Sequence, residues 1–320
     1  MDEETRRKRR ELAHQRVVRQ RRLAALSVLG LLLVLIVVLS SGGKGNGPGA
    51  RRAAAPAPPP QLPRGGRTLL PRYRVVAFYG APESAALGQL GIGSPALAAQ
   101  SLRRQAAPYA RGGREIMPAF ELLATVASHS PGDDGQYRTI QPDAVISRYL
   151  HAARRAHAIL VLDLQPGYEP FMTEVRRLRR YLVQPDVSLA LDPEWSLRPP
   201  DVPGQKIGST QASVVNEASA YLADLVRTER LPQKLLLVHQ FTESMIADRA
   251  QLRPSPGVAL VLNVDGVGDQ PNKIAKYRSF TRHEHRFYNG FKLFYHEDTN
   301  LLAPRQALRL RPRPDVLVYE

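Results

Sequence analysis

Residues 67–320 predict an α/β fold, a closed (β/α)8 TIM-like barrel without its last helix. Three observations carry that prediction. Eight strand-like stretches alternate with helical ones over about 250 residues, the usual size of such a barrel. The stretch Asp186-Val-Ser-Leu-Ala-Leu-Asp-Pro-Glu-Trp195 alternates with period two, placing Val187, Leu189 and Leu191 on one side and Ser188, Ala190, Asp192 and Glu194 on the other. Small residues followed by acids suit a strand that lines a barrel and ends at its chemical rim. Acidic and amide side chains also recur at the C-terminal ends of the other strands. An open doubly wound sheet is the competing arrangement.

The first strand is predicted at 74–80 (RVVAFYG), followed by a Gly- and Ala-rich loop and a helix over 95–109. The second spans 115–124 (EIMPAFELLA) and gives way to a polar loop, 128–137. A helix over 142–156 carries Asp143 in its first turn. The third strand is 158–165 (AILVLDLQ), and the helix after it, 168–182, has a basic outer face of Arg176, Arg177, Arg179 and Arg180. The fourth strand is the alternating stretch above, stopped by Pro193. A long loop, 196–209, leads to a helix over 212–229. The fifth strand, 234–241 (KLLLVHQF), precedes a short helix at 242–249, and the sixth, 257–266 (GVALVLNVDG), precedes a helix over 271–279. The last two strands lie at 288–295 (YNGFKLFY) and 314–320 (PDVLVYE).

The N-terminal part follows different rules. Residues 1–22 hold nine Lys and Arg against four acids, and an uncharged apolar run, 23–39, follows. Its length suits a hydrocarbon layer of roughly 30 Å, and the basic flank predicts a cytoplasmic N-terminus. We read 23–39 as a single-pass signal-anchor in a lipid bilayer, with cleavage as a signal peptide the alternative. Residues 40–66 are rich in Gly, Pro and Ala with no acid, the composition of a disordered tether. The expected organisation is a basic tail, 1–22, an anchor, 23–39, a linker, 40–66, and an extracytoplasmic domain, 67–320.

The net charge of +16 invites a nucleic-acid partner, but its distribution argues against one. Residues 73–320 carry 30 basic against 25 acidic residues, an ordinary balance, so the excess belongs to the topology signal and the tether. With no Cys, stability rests on no disulfide.

The strand ends offer the chemistry. Glu121 closes the second strand, Asp163 and Gln165 the third, Asp192 and Glu194 the fourth, His239 and Gln240 the fifth, and Asn263 and Asp265 the sixth. His296, Glu297 and Asp298 follow the seventh, and Glu320 ends the eighth. Acids gathered at one barrel mouth are costly to desolvate unless hydrated, paired or functional, and mutual repulsion raises some of their pKa values. A ring of this kind suits glycoside hydrolysis, which needs a proton donor and usually a second carboxylate. Glu297 is a candidate nucleophile opposite Glu194, and Trp195 a candidate platform for a sugar ring. No cofactor motif is present: Gly91-Ile-Gly93 is too short for a dinucleotide fingerprint, and Asp265-Gly-Val-Gly-Asp269 lacks the ligand spacing of a calcium loop. The histidines of His283-Glu284-His285 are expected in a solvated loop, so no metal site is assigned.

Asp192-Pro193-Glu194 resembles the Asp-x-Glu that ends the fourth strand of chitinase-like (family 18) glycoside hydrolases and of lysozyme-like (family 25) barrels. The resemblance implies that Glu194 is the proton donor, with Asp192 its partner and Asp265 a polar helper. The chain departs from the chitinase-like pattern at Ala190, where those proteins carry another Asp, and at Val264, where they carry Tyr. More broadly, residues 73–320, through LALDPEW, LPQKLLLVHQF and FYHEDT, are similar to a group of exported actinobacterial proteins, a resemblance that implies export. The expected function is glycoside hydrolysis of an envelope or capsular polysaccharide. Glu194, Asp192 and Glu297 are its candidate catalytic residues, and Glu121, Asp163, Gln165, Trp195, His239 and Asp265 its binding residues. Glycan binding without cleavage, or a purely structural role, is the alternative.

Overall fold

The structure, a computed structural model, describes residues 58–320. Eight parallel strands close on themselves: β1 (Tyr73–Gly80), β2 (Glu115–Ala127), β3 (Ile159–Leu164), β4 (Val187–Leu191), β5 (Lys234–Gln240), β6 (Val258–Val264), β7 (Tyr288–Leu293) and β8 (Val316–Tyr319). Each pairs with its neighbour in sequence, and β1 pairs with both β2 and β8, setting Val75 opposite Met117 and Val316. This is the predicted barrel, and the open sheet is excluded by that last pairing. The main outer helices are α1 (Pro95–Ala106), α2 (Asp143–Arg155), α3 (Phe171–Arg177), α4 (Arg179–Leu182), α5 (Ala212–Thr228), α6 (Gln270–Thr281) and α7 (Pro304–Ala307).

Alternation along each strand divides the apolar residues into two cores. Leu160, Leu162, Leu164, Val187, Leu189, Leu191, Leu236, Val238, Leu260 and Leu262 face the helices. Val75, Ala77, Met117, Ala119, Val161, Ala190, Leu237, Ala259, Val261 and Val318 fill the interior. Gly290 makes room there, since a Cβ on it would meet Asn263 Oδ1 at 2.4 Å.

The residues before β1 seal the N-terminal end. Leu62, Leu69 and Leu70 join the interior core, so part of the expected tether packs on the barrel. The backbone N–H groups of Leu69 and Leu70 both donate to Gln233 Oε1 at 2.8 Å. The Arg67 guanidinium donates to the carbonyls of Arg230 and Leu231 at 3.0 and 2.8 Å. Among the described residues no helix follows β8. An aromatic group covers that side instead: Tyr295 stacks on Tyr319 at 5.3 Å and meets Phe78 edge-on at 6.4 Å, while the Tyr109 and Tyr319 hydroxyls lie 2.5 Å apart.

Two predicted helices differ. The one over 168–182 breaks into α3 and α4. The one at 242–249 is replaced by two short 3-10 turns around Ile246–Ala247, which pairs in parallel with Thr210–Gln211. A short strand just after the predicted polar loop, Arg138–Ile140, pairs antiparallel with the end of β2. Beneath it Glu174, almost wholly buried, takes hydrogen bonds from Arg138 Nε at 2.8 Å and Arg177 Nε at 2.8 Å. Among the described residues no helix is long and apolar enough to cross a membrane, and the run 23–39 lies outside them.

Candidate active site at the barrel mouth

The same alternation that fills the interior with aliphatics turns polar near the C-terminal ends. Tyr79, Glu121, Asp163, Asp192, His239, Asn263, Asp265 and Lys292 are all buried at this end of the barrel. His239 is the hub. Its Nε2 lies 2.8 Å from Glu121 Oε1 and 3.6 Å from Asp163 Oδ2, and its Nδ1 lies 2.8 Å from Asp265 Oδ2. Burial alone would lower the imidazole's pKa, but the carboxylates of Asp192, Asp265 and Glu121 outweigh it and raise the value well above the ordinary one.

Lys292 is the second buried cation. Its Nζ lies 2.8 Å from Glu320 Oε2 and 3.3 Å from Asp265 Oδ2, and 3.6 Å from the centre of the Tyr79 ring. Burial would lower its pKa, yet Asp265 and Glu320 raise it well above the usual lysine value. A charged ammonium has no lone pair, which argues against Schiff-base chemistry at Lys292. Asp265 is pushed up by burial and pulled further down by Lys292 and His239, so it stays ionised. Gly266, at φ +108°, donates its N–H to Asp265 Oδ1 at 2.5 Å. Lys273 of α6 ties this loop in place, with Nζ donating to the carbonyls of Gly266 and Lys292 at 2.8 Å each and pairing with Asp298 at 2.9 Å.

The strand-four acids separate in environment. Asp192 is buried at the end of β4, where burial raises its pKa well above the usual value and Gln165 Nε2 donates to Oδ2 at 3.4 Å. Gln165 also donates to the Tyr79 hydroxyl at 2.9 Å and accepts from the Ala127 N–H at 3.1 Å. Glu194 stands in the 3-10 turn Pro193–Trp195, whose position is set by the Gly208 N–H donating to the Glu194 carbonyl at 2.6 Å. Burial, with the Asp265 carboxylate adding to it, pushes the Glu194 carboxyl up to about 7. Its side chain makes no ion pair among the described residues.

A cavity of about 220 Å³ opens at the mouth, lined by Glu194, Asp265, Lys292, Glu320, Gln165 and Tyr79 together with Trp195, Phe241 and Phe294. A second cavity of about 240 Å³, over Gly204, Gln205, Lys206 and Ile207, shares Glu194, Trp195 and Phe241 with the first. Glu194, whose carboxyl is raised toward neutrality, therefore belongs to the wall common to two cavities.

The structure thus brings Glu194, Trp195, Gln165 and Asp265 to the cavity wall and sets Asp192, Asp163, Glu121 and His239 within the barrel, off that wall. Glu297 is exposed on the loop after β7 and lines neither cavity. Lys292 did not emerge as a candidate from the sequence. Its signal was there: Tyr288, Gly290 and Lys292 share one side of β7 while Phe291 and Leu293 take the helix side. Glu121, Asp163 and His239 also bring three ligand-type atoms within 4.8 Å of one another.

No protein-family model matches the chain, and no curated protein matches it. Among solved structures, oxaloacetate acetylhydrolase in complex with the inhibitor 3,3-difluorooxalacetate aligns at 10% identity and a TM-score of 0.30, over 77% of this chain and 67% of that one. A likeness of that size carries no argument about chemistry. The fold stands on the strand pairing, and the chemistry on the side chains at the mouth.

Proposed function

We propose that the barrel is a glycoside hydrolase acting on a carbohydrate polymer, with Glu194 as the proton donor. One observation carries the reading: Glu194 stands on the wall shared by two cavities, with its carboxyl raised to about 7. A glycosidic oxygen linking a sugar in the inner cavity to one in the outer cavity would sit against that wall. The Glu194 carboxyl gives its proton to this oxygen, the C1–O bond breaks with its electron pair leaving on oxygen, and positive charge develops on the inner sugar. Asp265, held ionised beside Lys292, and Glu320 face that charge from the inner cavity. Water then adds to C1 and gives up a proton to the Glu194 carboxylate, which restores the acid. Trp195, Phe241 and Phe294 supply apolar faces against which sugar rings pack. The basic tail and apolar run of residues 1–39 support display of this domain outside a membrane, where the polymer would be an envelope or capsular polysaccharide.

A second reading is glycan binding without cleavage. It is favoured by the pairing of the Asp265 and Glu320 carboxylates with Lys292. The test incubates the full-length chain, beside Glu194→Gln and Asp265→Asn, with purified envelope polysaccharides and counts new reducing ends. Release by the wild type that falls by about 10²–10⁴ in Glu194→Gln supports the hydrolase. Retention on a polysaccharide without release moves the conclusion to the binding module.

A further inference from the structure

We propose that the barrel interior beneath the cavity binds one Zn2+, with Glu121, Asp163 and His239 as ligands and Asp265 orienting the histidine. The ligand atoms have the spacing such an ion needs. Tetrahedral coordination at 2.0–2.2 Å places neighbouring ligand atoms about 3.3–3.5 Å apart, and the 2.8 and 3.6 Å separations of His239 Nε2 from Glu121 and Asp163 bracket that span. All three ligand atoms lie within 4.8 Å of one another.

A second, independent observation points the same way. Both carboxylate oxygens of Asp163 and Oε2 of Glu121 are buried and have no hydrogen-bond partner. Unpaired buried carboxylate oxygens are costly, and coordination to a cation is one of the few ways to satisfy them inside a barrel. The charges agree as well. Glu121, Asp163, Asp192 and Asp265 are all buried, and the buried cations in contact with them are His239 and Lys292.

Asp265 completes the arrangement. Its Oδ2 lies 2.8 Å from His239 Nδ1 and can accept the Nδ1–H, while Nε2 faces Glu121 and Asp163; an ion bound there would take the place of the Nε2 proton. A carboxylate behind a histidine in this way is the usual outer support of a metal ligand. One imidazole and two carboxylates suit Zn2+. None of the three ligands lines the cavity, so the ion would hold His239 and Asp265 in place and would not touch a substrate. The site stands whether or not the chain cleaves glycans.

The test strips the full-length chain with a chelator, dialyses it against Zn2+, counts metal per chain and records the thermal midpoint with and without metal. Co2+ in place of Zn2+ adds an optical spectrum that reports coordination number. One equivalent of Zn2+, a higher midpoint with metal and a low-coordinate Co2+ spectrum are expected in the wild type and in the His283→Ala/His285→Ala variant, which removes the exposed loop pair. Asp163→Asn, which deletes a buried charge with little change of shape, should fold and lose the metal and the spectrum. Asp265→Asn should weaken affinity about tenfold to hundredfold. A folded wild type that retains no metal, or equal retention by Asp163→Asn, would overturn the proposal.

Discussion

Replacing Glu194 by Gln tests the raised carboxyl on its own, because the side chain is partly exposed and an amide of the same shape cannot ionise. The unfolded carboxyl titrates near 4.5 and the folded one at about 7. Between those values the folded chain holds a proton that the unfolded chain has released. Stability is therefore fully present below 4.5 and declines as pH rises to about 7. The full difference corresponds to about 3 kcal/mol, and solvent reaching Glu194 through the cavities screens this to about 2 kcal/mol. In a barrel of this size that is about 4–8 °C in Tm. Thermal unfolding of both proteins from pH 4.5 to 8 is the assay. The two midpoints should nearly coincide at the acid end, and Glu194→Gln should melt about 4–8 °C higher at pH 8. Parallel curves across the whole range would refute a carboxyl held protonated by its surroundings, and with it the ready supply of a donor proton at neutrality.

Lys292→Met removes the cation between Asp265 and Glu320, and should cost about 3–5 kcal/mol at neutral pH by urea unfolding, with partial recovery on acidification. Tyr319→Phe leaves the Tyr109 hydroxyl without its partner and should lower stability by about 1–3 kcal/mol, read from the denaturant midpoint at constant slope. Gly290→Ala drives a methyl into Asn263 and should cost about 1–3 kcal/mol, with loss of any activity that depends on the ordered His239 layer.

The barrel was legible because its information is local and repetitive. Each strand announces itself by aliphatic alternation, and β4 places Leu189 outside and Ala190 inside as its pattern predicts. The polar layer followed from the same parity at Asp163, Asp192 and Asp265. What escaped the sequence depends on distant partners. Lys292 reads as a surface lysine until Asp265 and Glu320 are placed beside it. Residues 242–249 form no α-helix, since Ile246 and Ala247 pair with Thr210 and Gln211, which no local pattern encodes. Leu62 looks like part of a proline-rich tether until the open end of the barrel gives it somewhere to bury.

The seal at the N-terminal end has a consequence for the order of folding. Its amide donors, Leu69 and Leu70, find their acceptor 164 and 163 residues later, at Gln233. The neighbouring strand waits longer still, since Val75 pairs with Val316. The segment of the barrel that emerges earliest during synthesis is thus among the last to acquire its native neighbours. Contacts this far apart slow folding, because chain entropy is lost before the contacts repay it. Until β8 arrives, β1 keeps one unpaired edge and Leu62, Leu69 and Leu70 have no complete core to enter, so nascent or truncated chains present a sticky edge and an apolar end that the finished barrel hides.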